Sequence, residues 1–308
     1  MNIAKLKSSL QKKGWYFCFQ EAWKRIWPIR WVRDIEVMDQ LYERRAYRFL
    51  KRRYQSRLAQ FVPEKPVLQQ PARIWVCWLQ GEDNAPELVK RCIRSIREHA
   101  GGMEVMVVTN ENLPTLVDIP TYITDKLKKK KMQFATYSDY IRLALLTKYG
   151  GVWIDATVLM TDAIPGSLLE QSLFCFKKSY LSTSCIAASS WFIIAQPGNT
   201  ILQQVKYLFE CYWRKESHLC NYYLFHLLFA LVVDANEENR LLWSHVPYIH
   251  NVDVHTLQYE LFEPYSPQRF ETITQNAFVH KLTYKFSDAS LCSVPGTNYQ
   301  FVVNASCD

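Results

Sequence analysis

The sequence predicts an α/β fold built on a parallel sheet, and three observations predict it. Two short apolar runs, residues 73–79 (RIWVCWL) and 103–109 (MEVMVVT), have the length and composition of buried strands. Between them, residues 86–99 carry Leu88, Val89, Cys92, Ile93 and Ile96 at helical spacing. A third apolar run, residues 152–154, follows a helical stretch through Gly150-Gly151. Strand, helix and strand within about 40 residues make a βαβ unit, and such units build parallel sheets with helices on their faces.

Taken in order, the elements begin with an arm. Residues 1–60 hold six Lys and nine Arg against five acids, a net of +10, whereas the whole chain carries +8. The body is therefore slightly acidic and the arm is the basic part. Trp15, Phe19, Trp23 and Ile26 fall on one helical face, with Lys12, Lys13, Lys24 and Arg25 at other angles. Pro28 breaks that helix, and a second, arginine-dense helix is expected over residues 35–58, with Arg44, Arg45, Arg48, Arg52, Arg53 and Arg57. A cationic helix with an aromatic face suits an interfacial anchor drawn to anionic head groups. The other reading is an arm that packs its tryptophans on its own domain and solvates its arginines.

Residues 61–71, with Pro63, Pro66 and Pro71, read as a linker, and residues 72–308 as the main domain. There the two strands and their helix come first, with Gly101-Gly102 closing the helix. A further helix over residues 137–149 ends at Gly150-Gly151 as a glycine C-cap. The third strand then delivers Asp155 at its carboxyl end, the edge where open α/β sheets bind ligands. Residues 191–195 (WFIIA) have a strand-like composition and begin from Ser189-Ser190. Residues 222–226 are read either as a site segment or as a buried helix.

Composition excludes several classes. With 308 residues, 49% of them hydrophobic, and 16 Phe, 10 Trp and 18 Tyr, the chain buries a large core, so disorder is ruled out. The longest nearly apolar stretch, residues 222–233, is 12 residues long and contains His226, too short to span a bilayer. No compact apolar segment of a secretory signal follows the basic start. Nine scattered cysteines with no CxxC pair speak against zinc ribbons and a disulfide framework, and favour a reducing, cytoplasmic setting. Neither GxGxxG nor GxxxxGK[ST] occurs, and no nucleic-acid motif accompanies the basic arm, so nucleic acid is not an expected partner.

The most informative stretch is Ser138-Asp139-Tyr-Ile-Arg142, continuing to Tyr149-Gly150-Gly151-Val-Trp-Ile-Asp155-Ala-Thr157. It resembles the capsular polysaccharide synthesis proteins related to glycosyltransferase family 32, whose pattern is SDxxRxxxLxxYGGxWxDAT. The likeness extends to Ile74-Trp-Val-Cys77-Trp78 and to His280-Lys281-Leu-Thr-Tyr-Lys285, so it covers roughly residues 72–286 and leaves the arm outside. The resemblance implies a GT-A-like, Rossmann-type central sheet flanked by helices. It also implies a retaining glycosyltransferase that moves a hexose from a UDP-sugar to a surface-glycan precursor, a capsular or exopolysaccharide chain carried on polyprenyl diphosphate. The site would then work at the inner face of the cell membrane, with residues 1–60 on the membrane surface.

The residue roles follow from the same resemblance. Asp155 corresponds to the first Asp of DxD and faces the donor's ribose and diphosphate. Asp139 accepts hydrogen bonds from donor hydroxyls, and Arg142 contacts sugar or phosphate. Trp78 stacks on the base, with Cys77, Ser138, Gly151 and Thr157 beside the donor, and Lys281 or Lys285 holds the phosphates as point charges. Ser190, Trp191, Asn221 and His226 are placed on the acceptor side. A divalent cation, Mn2+ or Mg2+, would be held by Asp155 and His280. Thr157 stands where the second Asp of DxD belongs, and a hydroxyl there argues against a strong metal site, because hard cations prefer carboxylates. Read without the family, Asp139 and Arg142 make an i,i+3 ion pair, Trp78 a core residue and His280 a structural histidine. Thr157 and Asn221 also keep open a catalytically weak domain that binds nucleotide or glycan within a synthesis complex.

Overall fold

The computed structural model describes residues 35–67, 72–179, 182 and 184–305. The aromatic face expected over residues 15–26 lies outside them. The strands are β1 (Arg73–Cys77), β2 (Glu104–Val108), β3 (Gly151–Ile154), β4 (Val158–Met160), β5 (Leu173–Lys177), β6 (Ala188–Ala195) and β7 (Val279–Lys281). Five of them form one sheet in the order β2-β1-β3-β6-β5, and β4 pairs with β7 in a second, two-stranded sheet. β1 lies parallel to both β2 and β3, as the βαβ reading requires. β6 runs antiparallel to β3 and to β5, so it alone in the larger sheet points the other way. The mostly parallel sheet flanked by helices is the α/β class that the sequence predicts, with β6 as its one antiparallel strand. All eight residues of β6 are buried, because helices cover both faces at the sheet centre.

Among the helices are α1 (Ile35–Tyr54), α2 (Glu87–Glu98), α3 (Thr121–Lys128), α4 (Phe134–Tyr149), α5 (Thr200–Lys215) and α6 (Leu224–Asp234). Helix α2 serves two cores at once. Val89, Ile93 and Ile96 join the main cluster under the sheet, while Leu88 and Cys92 join a smaller one with Leu257, Leu261, Ile273, Leu282 and Val302. That smaller cluster fixes the C-terminal segment, and with it β7, against the domain.

The described part of the arm packs on the body. Tyr42, Ala46, Leu50 and Tyr54 recur every fourth residue along α1 and are all buried, which makes one apolar stripe. Ala46, Leu50 and Tyr54 belong to the same cluster as the sheet. Glu43 is buried too and accepts hydrogen bonds from the Ser184 hydroxyl and the Cys185 amide. Arg44, Arg45, Arg48, Lys51, Arg52, Arg53 and Arg57 all face solvent. The proline-containing segment that follows is pinned as well. The backbone of Glu64 exchanges hydrogen bonds with the Gln203 side chain, at 2.9 Å in each direction.

Gly150 and Gly151 turn the chain from α4 into β3 with φ of +66° and +96°. A Cβ on Gly151 would stand 2.4 Å from the Arg73 carbonyl oxygen, in addition to the cost of its left-handed backbone. Gly151→Ala is therefore expected to destabilise the protein by about 3 kcal/mol, read as a lowered urea midpoint with unchanged slope.

Candidate active site

Helix α4 starts at Phe134, one turn earlier than the apolar periodicity suggests, and it ends on the Gly150 cap, whose amide reaches the Leu146 carbonyl at 3.0 Å. Phe134, Ser138 and Arg142 then lie at i,i+4 spacing, with Ala135 and Asp139 alongside, on the one face turned from the core. That face meets the carboxyl ends of β1 and β3. Together they enclose a cleft of about 320 Å3 lined by Cys77 and Trp78 from β1 and its exit, Asp155 to Thr157 after β3, and Ser190 of β6. Tyr222, His226, Tyr284 and Lys285 complete the wall.

Arg142 is the centre of the cleft's electrostatics. Its side chain is 4% exposed, and its guanidinium donates to Asp139 Oδ1 at 2.5 Å and to Asp155 Oδ1 at 2.9 Å. The guanidinium lies over the Trp153 ring at 4.8 Å and the Phe225 ring at 5.5 Å. Arg142, expected to contact sugar or phosphate, lines the cleft and clamps both carboxylates there, while its Nε is buried with no partner among the described residues. Asp155 Oδ1 also accepts from Trp153 Nε1 at 2.9 Å, and its amide donates to the Trp191 carbonyl at 2.8 Å. With 28% of its side chain exposed, Asp155 keeps its second oxygen toward the cleft.

Burial pushes the Asp139 carboxyl up to about 6, Asp155 adding to the shift and Arg142 opposing it. The folded chain then holds this proton more tightly than the unfolded chain, whose carboxyl titrates near 3.8. Stability contributed by this group is greatest below that lower value and is lost as pH rises through about 6. The urea midpoint is expected to fall as pH rises through about 6, and that step should vanish in Asp139→Asn.

Trp78 is half-buried and meets Tyr284 edge-on with ring centroids 5.4 Å apart, which forms an aromatic wall. Its indole N–H is shielded and has no partner among the described residues. Cys77 has its thiol pushed up to about 12, chiefly by burial, so it stays neutral, and it hydrogen-bonds with Ser138. His226 is pulled down to about 3 by burial and by the neighbouring Arg142, so the cleft presents a neutral imidazole there. Lys285 is exposed, with its ammonium 5.4 Å from the Tyr284 ring centroid.

Five expected site residues, Gly151, Trp191, Asn221, His280 and Lys281, are not among those that line the cleft. Gly151 does not line the cleft; its backbone makes the turn that aims Asp155. Trp191 is core, stacked on Phe176 at 4.9 Å, and offers the site only its carbonyl. Asn221 caps a turn by accepting from the Tyr223 amide at 2.8 Å. His280 is fully buried, and its Nε2 lies 3.0 Å from Thr161 Oγ1. Burial pulls it down to about 4, so it is neutral. The strand alternation of β7 explains this displacement: with His280 turned to Thr161, its neighbour Lys281 is turned to the 155–157 turn. There Lys281 Nζ donates to Thr157 Oγ1 at 2.5 Å and stands 3.9 Å from Asp155 Oδ2. Phe134, Tyr222 and Tyr284 were not singled out by sequence. Tyr284 sits inside the HKLTYK segment that was, and Phe134 and Tyr222, 62% and 53% exposed, flank the elements chosen.

The donor set does not fit a divalent cation. Asp155 is the one carboxylate beside Thr157, His280 faces away, and an ammonium occupies the gap. Among the described residues no three His, Cys, Asp or Glu side chains are placed to hold a metal. Two unit charges about 4 Å apart repel by about 4 kcal/mol at an effective dielectric near 20, and a divalent ion doubles that.

A family profile described as capsular polysaccharide synthesis protein matches residues 28–300. The chain belongs to that family. The match takes in helix α1, which the sequence resemblance had left outside. At the family level this protein is a capsular polysaccharide synthesis protein. No curated protein is significantly similar to it in sequence. Among solved structures, a PaToxG glycosyltransferase is similar at 13% identity and a TM-score of 0.37, over 80% of this chain and 99% of that one. The apo-form glycosyltransferase GlyE of Streptococcus pneumoniae TIGR4 is similar at 12% identity and a TM-score of 0.33, over 76% of this chain and 62% of that one. Likenesses this distant carry no argument about this protein. No helix among the described residues is long and apolar enough to cross a membrane.

Proposed function

We propose that the cleft binds a UDP-sugar and that the protein transfers its hexose to a lipid-linked precursor of a surface glycan, with retention of configuration. The observation that carries this reading is the gathering of Asp139, Arg142, Asp155 and Trp78 in one cleft at the carboxyl ends of β1 and β3. Trp78 and Tyr284 suit a flat base, Asp139 and the outward oxygen of Asp155 suit hydroxyls, and Lys281 and Lys285 suit a diphosphate.

In the reaction the bond from the sugar's anomeric carbon to the diphosphate oxygen breaks, and its electron pair leaves with UDP. The acceptor hydroxyl oxygen forms the new bond. Both carboxylates of the cleft are engaged by Arg142, so the departing diphosphate takes the acceptor proton on the face it leaves, which gives retention. The outward row of arginines on α1, with the more basic stretch before it, supports docking at the inner membrane surface.

The test is to incubate the purified protein with a panel of nucleotide sugars and follow release of nucleoside diphosphate. Release from a UDP-hexose supports the reading; a protein that neither binds nor cleaves any member of the panel refutes it.

A further inference from the structure

We propose that Lys281 takes the place of a divalent cation, so that this protein binds and discharges a nucleoside diphosphate without metal. The inference rests on the donor-site reading above and adds to it the group that meets the leaving charge.

Asp155 and Thr157 flank a single residue on the turn after β3, and a cation held there would lie between their side chains. That position is occupied by Lys281 Nζ, 2.5 Å from Thr157 Oγ1 and 3.9 Å from Asp155 Oδ2. Its third neighbour is the Leu282 carbonyl at 3.0 Å. Two of the three ammonium N–H groups are thereby used within the protein. The side chain is 20% exposed, and its neighbours Asp155 and Thr157 line the cleft, so the ammonium stands directly behind the cleft wall.

The lysine is also held in place. Lys281 pairs with Val158 in the β4–β7 ladder, and Leu282 donates its amide to the Thr157 carbonyl at 2.9 Å. The ammonium, the carboxylate and the hydroxyl are thus fixed relative to one another by the β4–β7 ladder, which joins their two chain segments. Burial lowers the proton affinity of Lys281, and Asp155 opposes this by favouring the charged form. Lys285, exposed at the cleft wall, supplies a second positive charge.

When the anomeric bond breaks, its electron pair passes to the β-phosphate oxygen. The added negative charge there faces the Lys281 ammonium, while the acceptor's proton moves to the departing diphosphate. The ammonium itself keeps its protons throughout, as a point charge that needs no exchange.

Calorimetric titration of UDP into the full chain tests this, first with EDTA and then with MnCl2. The expected dissociation constants agree within about twofold in the two media. Lys281→Met should weaken UDP binding at least about tenfold in EDTA while leaving the binding of uridine, which has no phosphate, unchanged. Lys281→Arg should recover part of the loss, since it restores the charge. Wild-type binding that requires Mn2+, or Lys281→Met binding that equals wild type, overturns the role of Lys281 and leaves the donor-site reading standing. Absence of binding by UDP and by GDP in both media overturns the donor-site reading, and this inference with it.

Discussion

Replacing Arg142 by leucine will cost the protein about 3–5 kcal/mol of stability, the loss typical of breaking a buried ion pair from one side. The guanidinium joins two carboxylates that belong to different elements, Asp139 on α4 and Asp155 after β3. Without it, two negative charges face one another in a poorly solvated cleft, and the Trp153 and Phe225 rings lose the flat cation that lies over them. Arg142→Lys keeps the charge but offers a single compact ammonium, which cannot span both carboxylates, so it should recover only part of the loss. Urea denaturation near pH 7 measures both variants. Lowering the pH should narrow the gap for the leucine variant, because Asp139, already raised by burial and no longer held down by Arg142, takes up a proton and removes one of the stranded charges.

Asp155→Asn is expected to lower turnover of the nucleotide sugar by about 10²–10³-fold while leaving the fold intact. The amide oxygen can still accept from Arg142 and Trp153 Nε1, so the buried partners of Oδ1 stay satisfied. What is lost is the negative charge beside Lys281 and the second acceptor oxygen aimed at the cleft. The loss should therefore appear in kcat/KM and not in the denaturation midpoint. A stability loss as large as that of Arg142→Leu would mean that Asp155 is chiefly structural.

Much of the fold and half of the cleft were legible in the sequence for identifiable reasons. The strands β1, β2 and β3 announce themselves as short apolar runs bounded by Gly pairs or polar turns, and their parallel pairing follows from the helices between them. The antiparallel insertion of β6 is not written in any local pattern, since a run such as WFIIA suits either direction. The residues of the SDxxR and DAT segments meet because α4 and β3 are joined by a two-glycine turn that returns the chain alongside itself. His280 and Lys281 show where sequence reading stops. They differ by one position, and only the register of β7 against β4 decides which faces Asp155.

The arm shows the same limit. Its arginine density drew attention to charge, whereas the stripe Tyr42, Ala46, Leu50 and Tyr54 that seats α1 on the domain is sparse and partly aromatic. The arginines and Lys51 of α1 are thus displayed outward on a helix whose other side is core.

The central claim is that a nucleoside diphosphate binds at the carboxyl ends of β1 and β3, against α4. Hydrogen–deuterium exchange of the full chain, with and without saturating UDP, tests it most directly. The account predicts slowed exchange over residues 76–80, 134–142, 154–157 and 281–285, with α1 and the segment around Ile273 unchanged. Protection confined to other parts of the molecule, in a protein that demonstrably binds UDP, would contradict it.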